Sequence, residues 1–249
     1  MRSFEVLVAE AESADVTGWG FGWLRGRAIE ERPPWGFAKR LADRLASVDS
    51  ALDIDTGGGE VVSEAPILPR RMFVTEGWPP NAQRARALLG PRGVHVVSSR
   101  GGGPVPFPDE SFDLVTSPAP GVGGLAGDWP SSRPGGHYFA QHVGPGSASE
   151  LIEFLVGPSE QKRNRRDPQM ESAAANAAGL TIVDVRTARC RMEFFDVGAV
   201  VWILRKCVWW VPDFSVDKYH DRLVALDRGM RSGHSFVAHS TRHLIEARR

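Results

Sequence analysis

A glycine-rich turn at residues 52–60, LDIDTGGGE, contains the first residues whose types and spacing could do chemistry. An apolar run that predicts a strand leads into the turn, and a helix is expected after it. Gly57 and Gly59 have no Cβ, so the backbone can adopt positive φ there and approach a ligand closely, with helix N–H groups facing its polar part. A tight turn without a ligand explains a lone glycine run equally well, so the interpretation depends on its neighbours.

Glu76 supplies a second chemical group. It ends the next predicted strand, MFVTEG, 23 residues after Asp53. A carboxylate at that place can accept hydrogen bonds from both hydroxyls of a ribose. Strand, glycines, helix, strand and acid therefore follow the order of an α/β unit that binds a nucleoside cofactor.

Two further segments continue this arrangement. The segment SFDLVTS predicts a strand whose end, at Thr116 and Ser117, opens toward the same crevice, and RPGGHYFAQ predicts a turn into the following strand. His142 lies at the end of that strand, where a reacting centre is expected, and a neutral imidazole there can take a proton from an attacking hydroxyl. A hydrogen-bonded histidine without a catalytic role is the commoner reason for such a residue.

Together these segments resemble the class I S-adenosylmethionine-dependent methyltransferases. The loop DxGxGxG, the acid that ends the second strand, PFPDxSFDLV and LRPGG give that family's order and spacing, and the likeness covers about residues 37–188. The chain looks more closely like actinobacterial methyltransferase-domain proteins that share TEGWPPN, a GPGS turn and RMEFFDVGAVVWILRK. The resemblance implies that S-adenosyl-L-methionine (SAM) is the cofactor.

The resemblance also implies roles for individual residues, with the glycine loop holding the methionine part of SAM and Glu76 holding its ribose. The residues assigned to cofactor binding are Asp53, Asp55, Thr56, Gly57, Gly59, Glu76, Gly77, Trp78, Ser99, Thr116 and Ser117. His142 is the candidate catalytic residue. No metal site is expected, because His239 and His243 share a strand face without an accompanying carboxylate or cysteine pattern.

The sequence departs from the family pattern in three places. Asp55 replaces the first glycine of the loop; aspartate tolerates left-handed φ better than most residues, and its carboxylate can accept a hydrogen bond from the cofactor's ammonium group. The segment VVSSRGGGPVPF lacks the acid that many relatives place near adenine, so Ser98, Ser99 or a backbone carbonyl must serve. Residues 117–136 are rich in glycine and proline, so the helix usual there is expected to be short or absent.

The alternation of strands and helices predicts a Rossmann-like α/β fold. We expect a seven-stranded class I methyltransferase sheet, mostly parallel, with an antiparallel C-terminal hairpin. Residues 1–36, polar and then rich in Trp and Gly, are expected to form an N-terminal cap rather than a core helix. Residues 37–249 are assigned to the methyltransferase domain, and residues 190–230 to a helical lid inserted in the hairpin.

The amino-acid composition indicates which binding partners and which cellular compartment are expected. Thirty basic residues balance thirty acidic residues, so no net field attracts a polyanion, and nucleic acid is disfavoured as a partner. Cys190 and Cys207 are too few for a disulfide framework and lack zinc-site spacing, which favours a reducing cytoplasm. No membrane span or export signal is expected, because no stretch approaches the roughly 20 apolar residues of a span.

The predicted function is methyl transfer from SAM to a small organic acceptor by direct displacement, which requires aligned reactants and exclusion of water. Aromatic residues of the first 36 positions and of the C-terminal apolar run could line an acceptor chamber or simply pack a lid. They are Trp19, Phe21, Trp23, Trp35, Trp202, Trp209 and Trp210.

Other functions stay open at this stage. A catalytically weak or inactive protein that binds SAM or its product would keep the same motifs, and the basic run at 161–168 leaves RNA methylation as a minority option. A nicotinamide-dependent oxidoreductase would need GxGxxG instead of DTGGGE. The sequence has no GxSxG elbow, P-loop lysine or HExxH, so hydrolase, kinase-like and zinc-protease chemistry lack their motifs.

Overall fold

The computed structural model describes residues 2–18, 20–99, 105–118, 132–158 and 167–249. The strands in these ranges are β1 Ala28–Glu30, β2 Ser50–Asp53, β3 Arg71–Glu76, β4 His95–Ser98, β5 Phe112–Ser117, β6 Ser132–Val143, β7 Thr181–Phe194 and β8 Phe236–Arg248. The helices are α1 Phe4–Ser13, α2 Phe37–Leu45, α3 Glu60–Ser63, α4 Pro79–Leu89, α5 Ser149–Val156, α6 Pro168–Ala177, α7 Val197–Lys206 and α8 His220–Arg231. The strands form one sheet in the order β1-β7-β8-β6-β5-β2-β3-β4.

Five neighbouring strands, β4, β3, β2, β5 and β6, are parallel. Every residue of β2 and of β5 is buried, as expected for central strands covered on both faces. The chain runs from β2 through β3 to β4, then crosses back to the other side of β2 with β5 and β6. The carboxyl ends of β2 and β5 therefore flank the switch point at which open α/β sheets bind ligands.

An apolar layer on each face holds the helices against these strands. Leu41 and Leu45 of α2 pack with Phe139 on one face, and Ala175 of α6 packs with Tyr138 on the other. The four-residue spacing on α2 places its apolar side chains on one side of the helix, as the sequence predicts. Within the described ranges, no helix combines the length and apolar character needed to cross a membrane.

The last two strands form the predicted antiparallel hairpin, with β8 between β6 and β7 and with α7 and α8 inserted in the connection. Strand β7 continues to Phe194, which pairs with Phe236. The assignment of residues 190–194 to a helical lid is therefore wrong. A short apolar run does not by itself distinguish a strand from a buried helix, and here the partner strand decides.

An eighth strand corrects the expected count of seven. Strand β1 pairs antiparallel with the outer edge of β7, where Ile29 lies opposite Glu193. Three residues are too short to show a periodicity in the sequence. The strand forms because the long edge of β7 offers unpaired N–H and C=O groups.

Helix α1 corrects the expectation that residues 1–36 hold no core helix. Leu7, Val8 and Ala11 are buried in the same apolar cluster as α7 and α8. Asp196 caps α7, because its carboxylate accepts a hydrogen bond of 2.9 Å from the Ala199 N–H. Asp196 therefore stabilises the start of α7.

Candidate functional site

The glycine loop begins where β2 and β5 end side by side. Asp53 pairs in register with Thr116, and the Ile54 N–H donates to the Thr116 carbonyl at 2.8 Å. The Ser117 hydroxyl donates to the Ile54 carbonyl at 2.9 Å. The ends of the two strands are thus bound together at the switch point, and Ser117 has a structural partner there.

The loop after β2 takes left-handed backbone conformations at Asp55, Gly57 and Gly59, with φ of 54°, 65° and 84°. The backbone N–H of Asp55 donates to the Thr75 hydroxyl at 3.2 Å, and that of Thr56 donates to the Thr75 carbonyl at 2.9 Å. These bonds hold the loop against β3. Asp55 therefore adopts a left-handed conformation that glycine usually adopts. The turn forms although an aspartate stands where the family pattern has its first glycine.

Several polar atoms beside this loop are buried without a protein partner. Both carboxylate oxygens of Asp53 and the hydroxyls of Thr56 and Thr116 have no hydrogen-bond partner among the described residues. Burial, with a smaller contribution from the nearby Asp55 carboxylate, raises the pKa of Asp53 to about 8. Buried polar atoms without partners are costly, so a cluster of them marks a place where a polar ligand fits.

Glu76 ends β3 beside the loop. One of its carboxylate oxygens accepts a hydrogen bond of 2.7 Å from the Trp78 N–H, and its carbonyl accepts one of 3.3 Å from the Ser99 N–H. Burial raises the pKa of Glu76, and the carboxylate of Asp55 adds to the shift. Gly77 is exposed and Trp78 is 46% exposed, so this rim of the site borders on solvent.

The N-terminal segment lies over the same edge of the sheet, a contact that sequence reasoning missed. The Gly18 N–H donates to the Asn81 side chain on α4 at 2.7 Å, and Gly18 packs against the Glu60 carboxylate that follows the glycine loop. The Lys206 ammonium donates to the carbonyls of Val16 and Gly18 at 3.1 and 2.7 Å. Lys206, at the end of α7, therefore holds this segment beside the loop through hydrogen bonds.

No family model and no curated protein matches the sequence. Among solved structures, a Bacillus halodurans protein provisionally named a methyltransferase shares 14% identity, covering 84% of this chain and 97% of its own, with a TM-score of 0.59. Geranyl diphosphate methyltransferase, solved with GPP and sinefungin, shares 16% identity over 85% of this chain and 77% of its own, with a TM-score of 0.50. The mostly parallel sheet with its antiparallel strands β7 and β8 fits the same assignment. The chain has the class I methyltransferase fold.

Another solved structure that is similar to this chain is named for a different activity. It is the [4+2]-cyclase SpnF, with 16% identity over 98% of this chain and 92% of its own and a TM-score of 0.53. One fold can host several reactions, so the activity must be argued from the site.

Aromatic side chains gather beside the N-terminal segment. Trp23 stacks on Trp202 of α7 with ring centroids 5.6 Å apart, and Phe21 meets Trp202 edge-on at 6.1 Å. Phe21 is 43% exposed. Trp35 belongs to another region, where its indole N–H donates to Gln141 at 2.7 Å. The aromatic residues therefore form more than one group.

His142 is fully buried, and its Nδ1 lies 2.7 Å from a carboxylate oxygen of Glu171 on α6. The same oxygen lies 2.6 Å from Nε2 of His243. Burial alone would raise the pKa of Glu171, but the hydrogen bonds from the two histidines lower it to about 2. The structure thus shows His142 hydrogen-bonded to Glu171. Glu171 was missed, although it shares the buried side of α6 with Ala175 four residues later.

Other sequence predictions fall outside the described residues. They concern Trp19, most of the glycine- and proline-rich stretch at 117–136, and most of the basic run at 161–168.

Proposed function

We propose that the protein is an S-adenosylmethionine-dependent methyltransferase that acts on a small organic molecule. The observation that carries the proposal is the set of buried, unpartnered polar atoms of Asp53, Thr56 and Thr116 at the switch point of a class I methyltransferase sheet. A geranyl diphosphate methyltransferase of the same fold has been solved with sinefungin, an analogue of SAM, which supports the choice of cofactor.

The residues present fit this cofactor. The loop from Asp53 to Gly59 would hold its amino-acid end, with the Asp55 carboxylate available to the ammonium group, and Glu76 would accept hydrogen bonds from its ribose. Ser99 lies next to Glu76 and would border the adenine, while Thr116 lies beside Asp53 and would face the crevice. Gly77, Trp78 and Ser117 complete the proposed rim.

When bound, SAM supplies a methyl group on a sulfonium, and transfer to an acceptor is a direct displacement that needs no covalent enzyme intermediate. The chain's own task is to align the two molecules and exclude water. The segment around Gly18, held by Asn81 and Lys206, lies beside the loop and would serve the second purpose. His142 contributes no obvious base, because its imidazole is fully buried and engaged with Glu171.

An apolar acceptor fits the neighbourhood best. Phe21 is exposed and Trp23 is partly exposed near the N-terminal segment, where both pack on the buried Trp202, and such aromatic surface favours organic molecules with apolar bodies. The balanced charge of the chain gives no support to an RNA acceptor. Cys190 and Cys207 are free and buried, which accords with the proposed cytoplasmic location.

Calorimetric titration of the full chain with SAM and with S-adenosylhomocysteine, with NAD as the control, tests the cofactor assignment. We expect binding in the micromolar range for the first two and none for NAD, followed by methyl transfer in a screen of small organic acceptors. Binding without transfer to any acceptor would favour a SAM-binding protein that has lost turnover or, as SpnF illustrates for the fold, a different reaction. Absence of binding would refute the proposal.

A further inference from the structure

Three side chains from three separate elements converge below α6. His142 of β6 and His243 of β8 are directly paired across the two strands, and Glu171 reaches between them from the helix. The three ligand-capable atoms lie within 4.8 Å of one another, and each residue is 1% exposed or less. Two buried imidazoles and a buried carboxylate form a set of metal ligands that no comparison assigns.

Hydrogen bonds alone leave this cluster incompletely satisfied. Both histidines contact the same oxygen, Oε2 of Glu171, while its Oε1 is buried without a partner among the described residues. A cation on this carboxylate would take Oε1 as a second ligand atom and would balance a buried negative charge. We propose that His142, Glu171 and His243 bind one zinc ion.

The types of ligand atom in this cluster indicate which metal would bind. Imidazole nitrogen and carboxylate oxygen suit zinc, and a set of two histidines and one glutamate occurs at known zinc sites with three protein ligands. Zinc lies about 2.0–2.2 Å from such atoms, so tetrahedral ligands are separated by roughly 3.3 Å. The observed separations of 2.7 and 2.6 Å must widen slightly, which small rotations of the Glu171 side chain can provide.

The ion would fix α6 to the sheet. Both histidines are anchored on long paired strands, and Glu171 lies in the first turn of α6. Removing the metal should therefore loosen this helix more than the rest of the fold. The proposal is independent of the proposed methyl transfer, since neither the cofactor nor an acceptor takes part.

A second histidine–carboxylate pair on the same strand provides a matched control. His239 of β8 contacts Glu150 of α5 through Nδ1 at 2.7 Å, but this pair is partly exposed and has no second histidine among the described residues. His239→Ala thus removes an equivalent hydrogen bond from the same strand without touching the proposed ligands.

The test equilibrates the full chain, freed of any affinity tag, with excess zinc, removes unbound metal by desalting, and measures zinc by mass spectrometry. We expect about one ion per chain in the wild type and in His239→Ala, and a fall of about tenfold or more in Glu171→Gln and in His243→Ala. Chelation should lower the melting temperature of the wild type, and cobalt substitution should give the visible absorption of a tetrahedral site.

A wild-type chain that retains no zinc after this treatment would overturn the proposal, and the result does not depend on any variant folding. The proposal also fails if His239→Ala loses the metal as fully as His243→Ala. Titration with SAM on the metal-free chain keeps the two proposals apart, because cofactor binding is expected to persist without zinc.

Discussion

Asp53, Asp55 and Glu76 place three carboxylates close together at the turn after β2. Burial raises the pKa of Asp53 and of Glu76, and Asp55 raises both further. Carboxylates in such a setting hold protons unless a cation lies among them. SAM carries an ammonium and a sulfonium, so its charge complements a site that is unfavourable to the protein alone.

This environment predicts that the ligand-free protein loses stability as pH rises from about 4 to about 8. The pKa of Asp53 is near its ordinary value of 3.8 when the chain is unfolded but about 8 when it is folded. Between these values the folded state keeps a proton that the unfolded state has released, so the free energy of unfolding falls with pH; outside this window Asp53 adds nothing to the pH dependence of stability.

Urea unfolding at several pH values between about 5 and 8 checks this prediction. Asp53→Asn, which cannot ionise, should show a flatter pH dependence than the wild type, whereas Asp49→Asn should not. Glu171 does not interfere, because with its lowered pKa its contribution to stability changes with pH only below about 4.5 and is constant above that value. Equal slopes in wild type and Asp53→Asn would show that Asp53 ionises normally.

Glu76→Ala is expected to weaken binding of S-adenosylhomocysteine by about 10- to 100-fold, because hydrogen bonds to a charged group contribute about 1.5–3 kcal/mol. Isothermal titration calorimetry measures the change. Glu64→Ala, which removes an exposed carboxylate just after α3, is the control and should bind as the wild type does. Unchanged affinity in Glu76→Ala would remove this residue from the proposed site.

Helix α7 is held in place by a contact at its own first turn and by contacts with distant parts of the chain. It is buried at nine of its ten positions, and Asp196 both caps its first turn and pairs with Arg27 at 3.4 Å. Lys206 and Arg205 at its other end donate to carbonyls of the N-terminal segment. The helix therefore links the C-terminal hairpin to the start of the chain.

We predict that Asp196→Ala, which removes the cap of α7, lowers the free energy of unfolding by about 1–2 kcal/mol. Asp196→Asn keeps an oxygen for the cap but loses the charge, so it separates capping from ion pairing and should retain most of the stability. Both variants can be compared by urea unfolding. A larger loss in Asp196→Asn than in Asp196→Ala would contradict the capping role.

The molecule as a whole shares one core between its two ends. Helix α1 packs on α7, and β1 extends the sheet beyond β7, although these elements stand first in the chain and their partners stand near the end. The N-terminal residues are thus part of the folding unit.

Leu7→Ala tests this shared core. The side chain is 5% exposed, so its removal should lower the free energy of unfolding by about 2–4 kcal/mol through lost burial and the cavity it leaves. Val6→Ala, one residue earlier in the same helix, removes a side chain that is 46% exposed and should change stability by less than about 1 kcal/mol. Similar effects in the two variants would indicate that α1 is not fixed to the body of the protein.

The sequence by itself determined the parallel core and the position of the candidate site. A strand followed by glycines, an acid at the end of the next strand and polar residues at the end of a third are local features, and parallel topology brings strand ends to one edge. The conformation of Asp55 also followed from its residue type, because the left-handed φ that the loop requires is open to aspartate.

Only the tertiary structure decided which distant segments meet. Glu171 is one acid in an alanine-rich helix, and nothing local indicates that it lies between two histidines 29 positions before and 72 positions after it. Strand β1 and the segment at Gly18 are too short to show a periodicity in the sequence. Strand β1 forms on the edge of β7, and the segment at Gly18 is held by Asn81 beside the glycine loop. Such contacts depend on burial and on unpaired backbone groups supplied by another part of the chain, which a local pattern does not encode.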